Sequence, residues 1–277
     1  MSQSEVHLFV GRPVAAVPEI ALDIRRAWPA LQRSKARSVR RAHSARYGIA
    51  LALAAVAPAA LAADWSNTNA QVLTGSSYEV GAPDRSILTL EHASGWAYGD
   101  NFFFFDVTNP DQAGTALYGE FAPRLSLGKV SGSDLSFGPI QDVLLAAQLN
   151  SGTDFRAWLF GAGIDLKLPG FAFFQLNAYA RDDVSLPGTT WQLTAVGLVP
   201  IDLGGAKLSL GGFVDYAGAE GTGKANVLVV PQFLLDLGAL WGAPGHFHAG
   251  VEYSYWKNKF GDRVTERVAQ PMIRCTF

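Results

Sequence analysis

The sequence predicts an all-β protein, a transmembrane antiparallel up-and-down β-barrel of about twelve strands, and three observations predict it. Beyond Ala63 the chain breaks into about twelve runs of roughly ten residues in which apolar and polar side chains alternate. No apolar stretch there is long enough for a membrane-crossing helix, which needs ~20 residues. The last run, 266–277, sets Ala269, Pro271, Ile273 and Cys275 against Gln270, Met272, Arg274 and Thr276 and closes on Phe277. Such a strand must show one face to lipid and the other to a lumen.

Composition agrees. The 277 residues include 29 Gly, 17 Phe, 8 Tyr and 7 Trp, a mixture that suits twisted sheets with tight turns better than helix bundles. The single cysteine, Cys275, allows no internal disulfide and no thiolate-built metal site.

The amino-terminal part divides in two. Residues 1–34, with Trp28, Pro29 and scattered charges, read as an upstream extension or leader. Residues 35–62 read as an export signal: Arg37, Arg40, Arg41 and Arg46 precede an apolar run from Ile49 to Leu61 that ends in Ala60, Leu61 and Ala62. Residues 63–277 are then the barrel. Nine of the 22 basic but only three of the 24 acidic residues precede Ala63, so the remainder carries a net charge near −8. That balance disfavours nucleic-acid binding, which needs a basic surface.

The runs are 67–78, 87–98, 101–108, 116–129, 140–149, 156–168, 171–182, 190–201, 206–216, 226–237, 246–257 and 266–277. In the fourth, Leu117, Phe121, Leu125 and Leu127 face away from Tyr118, Glu120, Arg124 and Ser126. In the seventh, Phe174, Leu176, Ala178 and Ala180 oppose Gln175, Asn177, Tyr179 and Arg181. In the eleventh, Ala249, Val251, Tyr253 and Tyr255 oppose His248, Gly250, Glu252 and Ser254. Gly, Pro, Asn and Asp clusters such as Gly99-Asp100, Pro169-Gly170 and Gly204-Gly205 separate the runs and predict short connections. Pro123 and Pro231 fall inside runs and predict bulges or local edges. A soluble sandwich or lipocalin-like barrel would show the same alternation. Against it, Glu91, Glu120, Arg124, Asp142, Asp165 and Asp236 lie between apolar neighbours, which a watery lumen accepts and a dry core does not.

The stretch Gly119-Glu120-Phe121-Ala122-Pro123-Arg124-Leu125-Ser126-Leu127, followed by Ser133-Asp134-Leu135-Ser136-Phe137-Gly138-Pro139, resembles the Tsx-type nucleoside-specific channels of Gram-negative outer membranes. The likeness extends to Asp64-Trp65, Gly163-Ile164-Asp165, Asn177-Ala178-Tyr179-Ala180-Arg181 and Leu198-Val199-Pro200-Ile201. It implies a twelve-stranded monomer with a narrow pore in the outer membrane, delivered by periplasmic chaperones and the barrel-insertion machinery, with Phe277 in the recognition tail. The chain departs from the family in the inward positions of its eighth strand, Gln192, Thr194 and Val196, which carry less charge, and in a lumen poorer in aromatics. Barrel and channel therefore carry over more fully than nucleoside selectivity.

A nucleoside pore needs ring faces for the base and carboxylates or amides for the ribose hydroxyls, held weakly enough to let go. Alternation turns Phe102, Phe104, Tyr179 and Phe213 inward as faces, and Asp106, Glu120, Gln148, Asp165, Asn177, Asp215 and Glu252 as bonding groups. Wetting and bracing the wall is the plainer role for any one of them. Glu120, Arg124 and Arg181 are expected to form cross-strand ion pairs, and the acidic excess to favour neutral solutes over anions. Two other classes compete. An enzyme would need a nucleophile near His92, His246 or His248, where Ser94 has no fitting context, and His246 with His248 are too few for a metal. A non-selective or plugged barrel recognised by phage or colicin is the other. No cofactor is implied.

Overall fold

The structure, a computed structural model, describes residues 63–110 and 115–277; the extension and the export signal read from the sequence lie outside these. Twelve strands are present: β1 (Trp65–Gly75), β2 (Arg85–Trp96), β3 (Gly99–Thr108), β4 (Ala116–Ser126), β5 (Ile140–Gly152), β6 (Arg156–Leu166), β7 (Phe173–Asp183), β8 (Thr190–Asp202), β9 (Lys207–Ala217), β10 (Asn226–Asp236), β11 (Phe247–Lys257) and β12 (Thr265–Thr276). Each pairs with its sequence neighbours, and β1 pairs antiparallel with β12 to close the barrel. Closure leaves no sheet edge, the condition for a sheet to stand in lipid. No described helix is long and apolar enough to cross a membrane.

Register sorts the side chains. Glu91, Phe104 and Glu120 face one another across β2, β3 and β4, so they share the inner surface. The alternate positions, among them Val72, Leu90, Phe105, Leu117, Leu145, Phe160, Leu193, Val251 and Ile273, are exposed around the whole circumference. A soluble barrel would bury them; an apolar outer band is what hydrocarbon requires. Outer aromatics pair within this band, Trp158 stacking on Phe160 and Trp191 meeting Tyr216 edge-on.

The prolines obey one rule. Pro123 pairs with Asn101 on β3, but the β4–β5 ladder skips from Phe121 to Arg124. Pro231 pairs with Gly212, and the β10–β11 ladder skips from Val229 to Gln232. Register resumes unshifted in both cases, so the expected bulges are gaps: a ring nitrogen without hydrogen faces the side that has no ladder bond to make. The bulge lies elsewhere, between Ile140 and Asp142 on β5.

The fourth run is shorter than the alternation predicts. At Ser126 the strand gives way to a one-turn helix, α1 (Leu127–Ser131), because Ser126 Oγ accepts the Lys129 N–H at 3.0 Å and Gly132, at φ 67°, ends the turn. Leu127 and Lys129 are therefore helical and not part of the strand. The 127–139 connection that holds them opens on the end of the barrel where β1 begins, here the near end; connections 76–84, 153–155, 184–189, 218–225 and 258–264 lie at the far end.

The closing seam is the weakest ladder. Only five register pairs join β1 to β12, ending at Leu73 and Met272, where Pro271 removes the next donor. Side chains from two far-end connections hold the seam beyond that point. The Tyr78 hydroxyl donates to Gln270 Oε1 at 2.5 Å, Glu79 N–H donates to Glu266 at 2.9 Å, and Lys259 pairs with Glu266. Burial pushes the Tyr78 hydroxyl up to about 12, so it keeps the proton it donates. Burial lowers the Lys259 ammonium, opposed by the Glu266 carboxylate and by the Trp256 and Phe260 rings, 4.8 and 5.2 Å from Nζ.

Candidate functional site

Twelve strands enclose a tube between the side-chain-filled eight-stranded barrel and the open porin. Its wall is crowded: inward residues such as Asn69, Gln71, Leu159 and Glu266 are 0–2% exposed. Two apolar clusters narrow it further, Ala146, Ala157, Leu159 and Tyr179 with Phe155 against them, and Leu73, Leu234 and Met272 with Ile87. Gly250 allows the second: it lies between Leu234 and Met272 across β10–β12, and a Cβ there would sit 1.9 Å from the Phe233 carbonyl oxygen.

Along the axis runs a row of rings. Phe102 and Phe104 lie two apart on the inner face of β3, 6.1 Å between centroids; Phe104 meets Tyr118 of β4 at 5.9 Å, and Tyr118 meets Phe155 at 6.3 Å. Because β3 runs toward the far end and Phe155 lies in the far-end connection before β6, the row climbs from the lower lumen to the far mouth. Arg181 ends it, with its guanidinium 5.9 Å from the Phe155 ring.

Carboxylates line the row, and neutral groups hold them. Tyr118 OH and Gln148 Nε2 donate to Glu120 at 2.5 and 2.8 Å. Thr89 donates to Asp106 at 2.6 Å, Thr194 to Asp215 at 2.5 Å, and Gln232 and Gln270 to Glu252 at 2.7 and 2.8 Å. Asn69 donates to Glu91 at 2.9 Å. Hydroxyl and amide donors, rather than cations, orient these groups, so the mid-lumen is rich in carboxyls.

Two arginines sit in ion pairs at opposite ends of the row. At the near end Arg124, 5% exposed, reaches Asp100 and Asp165, each at 2.7 Å. At the far end Arg181 reaches Glu220 at 2.6 Å and Asp183 at 3.8 Å. Arg274 donates to Gln232 at 2.6 Å; among the described residues it has no carboxylate partner, and its Nε, like His248 Nδ1 and Asn177 Oδ1, is buried without a hydrogen bond.

All eleven residues singled out from the sequence, Phe104, Asp106, Glu120, Arg124, Asp165, Asn177, Tyr179, Arg181, Phe213, Asp215 and Glu252, lie on the inner face. Their partners differ from expectation. Glu120 forms no ion pair among the described residues: it sits too far along β4 from Arg124, and its oxygens go to Tyr118 and Gln148. Tyr179 packs into the Leu159 cluster, against which Phe155 of the row also rests, and Phe213 faces Val196 and Val230. Alternation turns Tyr118 inward, and the structure makes it a ring of the row. Phe155 and Glu220 lie in connections, where alternation has nothing to say. His92 and Ser94 face outward, the His92 ring on Phe103 and its Nδ1 2.7 Å from Thr68 Oγ1. His246 precedes β11, its Nδ1 3.0 Å from the Thr276 carbonyl oxygen, while His248 faces the lumen, so the two do not converge.

Comparison with known proteins adds an independent line. The outer membrane protein OmpK of Vibrio parahaemolyticus is 31% identical over 153 residues, 47% of this chain and 58% of its own. The nucleoside-specific channel-forming protein Tsx of Salmonella typhimurium is 31% identical over 163 residues, 52% of this chain and 55% of its own. The chain thus spans a little over half the length of these curated relatives. Among solved structures, a KdgM porin aligns with a TM-score of 0.48 at 7% identity, over 76% of this chain and 99% of the porin, a weak likeness in shape. The family model described as nucleoside-specific channel-forming protein, Tsx, matches residues 62–272, and the chain belongs to that family.

Proposed function

We propose that this protein is an outer-membrane channel that passes small uncharged solutes by diffusion, nucleosides foremost. The observation that carries the reading is the axial row Phe102, Phe104, Tyr118 and Phe155 with Asp106 and Glu120 beside it. A base slides from one ring face to the next, each contact worth roughly 0.5–1.5 kcal/mol, too little to trap it. Ribose hydroxyls donate to the carboxylates, whose remaining lone pairs are oriented by hydroxyl and amide neighbours. The carboxyl-rich mid-lumen favours neutral solutes over anions. The family relation supports the same cargo, since the matching Salmonella typhimurium protein is named for nucleosides. Insertion by the barrel-assembly machinery, with the exposed Phe277 at the end of β12, completes the reading.

Uptake of labelled adenosine at low concentration, by cells with and without the protein, tests it. The protein should raise the initial rate. Phe104→Ala should lower that rate by roughly two- to tenfold, the kinetic equivalent of one stacking contact. Tyr179→Ala removes a ring packed against Leu159, so it should widen the lumen and weaken discrimination more than rate. Uptake equal with and without the protein would refute the reading.

A further inference from the structure

The far mouth of the aromatic row holds a permanently charged group that a phosphorylated solute would be expected to use. Arg181 lies over Phe155, and an arginine fork beside a ring face suits a nucleotide: the ring takes the base and the guanidinium takes two phosphate oxygens. That fork is occupied. Glu220 Oε2 lies 2.6 Å from Arg181 Nη1, and Asp183 Oδ2 lies 3.8 Å from Nη2.

Glu220 is not part of the barrel wall. It comes from the 218–225 connection, which turns at Gly221, φ 55°, and closes with Gly223 N–H donating to the Glu220 carbonyl at 2.8 Å. The turn sends the Glu220 side chain inward until it is 3% exposed, and its second oxygen accepts the Asp183 N–H at 2.8 Å. A carboxylate buried so deeply needs both partners, and both come from β7.

We propose that Glu220 is a specificity-determining residue of the channel: by holding Arg181 in an ion pair it denies phosphorylated solutes a cation at the entrance to the aromatic row. The proposal rests on the channel reading above. Glu220 acts through Arg181 and is a positioning residue. A merely structural role would change all permeation rates together; a role in selectivity changes their ratio.

The test uses full-length protein in liposomes and planar bilayers. Permeation of adenosine and adenosine 5′-monophosphate is compared, and chloride against potassium permeability is read from the reversal potential in a potassium chloride gradient. In Glu220→Gln both anion-to-reference ratios should rise at least about threefold, the effect in water of one unit charge at about 6 Å. The double variant Arg181→Gln/Glu220→Gln should return both ratios to the parent values. Unchanged ratios in a folded Glu220→Gln barrel would overturn the proposal. If that variant does not insert, Arg181→Gln alone leaves Glu220 uncompensated and should lower the chloride-to-potassium ratio about threefold; no change there would overturn it equally. A parent barrel that passes no adenosine would sink the channel reading, while the salt-gradient measurement, which needs no nucleoside, still judges Glu220.

Discussion

Arg124 illustrates what a single residue does in this lumen. Its side chain is 4% exposed and bridges Asp100 of β3 and Asp165 of β6, three strands apart around the wall. Arg124→Gln leaves two facing carboxylates without their cation, and breaking a buried pair in this way costs about 3 kcal/mol. Denaturant unfolding of the protein from lipid vesicles, followed by tryptophan fluorescence, should show that loss, whereas a loss under 1 kcal/mol would mean that water in the lumen already screens the cluster. Alternation in the sequence placed Arg124 inward and left its partners open. The reason is physical: period two fixes the face of a side chain, while its height relative to other strands depends on barrel stagger. Asp100 lies in what reads as a turn and Glu220 in a connection, so these two partners are not legible in the sequence, whereas Asp165, the other partner of Arg124, falls on the inward phase of its run.

Elements were more legible than contacts. The twelve alternating runs correspond to the twelve strands within a few residues at each end, because lipid outside and water inside impose opposite demands on successive positions. Where local chemistry overrides that demand, the alternation misleads. Leu127 continues the apolar phase of β4, yet the Ser126 cap and Gly132 make it helical. The same two-solvent logic yields an element-scale prediction. Leu90 and Glu91 are neighbours near the middle of β2, the first exposed on the outer band and the second inside, held by Asn69. Leu90→Arg should cost about 2–4 kcal/mol in vesicle unfolding, the range for an arginine in mid-membrane. Glu91→Gln should cost about 1 kcal/mol or less, since an amide still accepts from Asn69. Equal costs at the two positions would mean that the faces are not separated by solvent.

At the scale of the whole molecule, the charges form a pattern that no single strand contains. Carboxylates held by hydroxyl and amide donors occupy the middle of the lumen, and arginines neutralised by carboxylates close off both ends of the ring row. That arrangement presents an entering solute with stacking surfaces and hydrogen-bond acceptors, and both arginines at the ends of the row, Arg124 and Arg181, are paired with carboxylates. Two apolar clusters share the inner face with these charges, and apart from Tyr179 the sequence does not announce them, because their members occupy positions of the polar phase. Flux of labelled adenosine into proteoliposomes made with the purified, folded barrel tests the central claim most directly. The account predicts influx well above that of protein-free vesicles, reduced by Phe104→Ala. Influx no faster than in protein-free vesicles would contradict it.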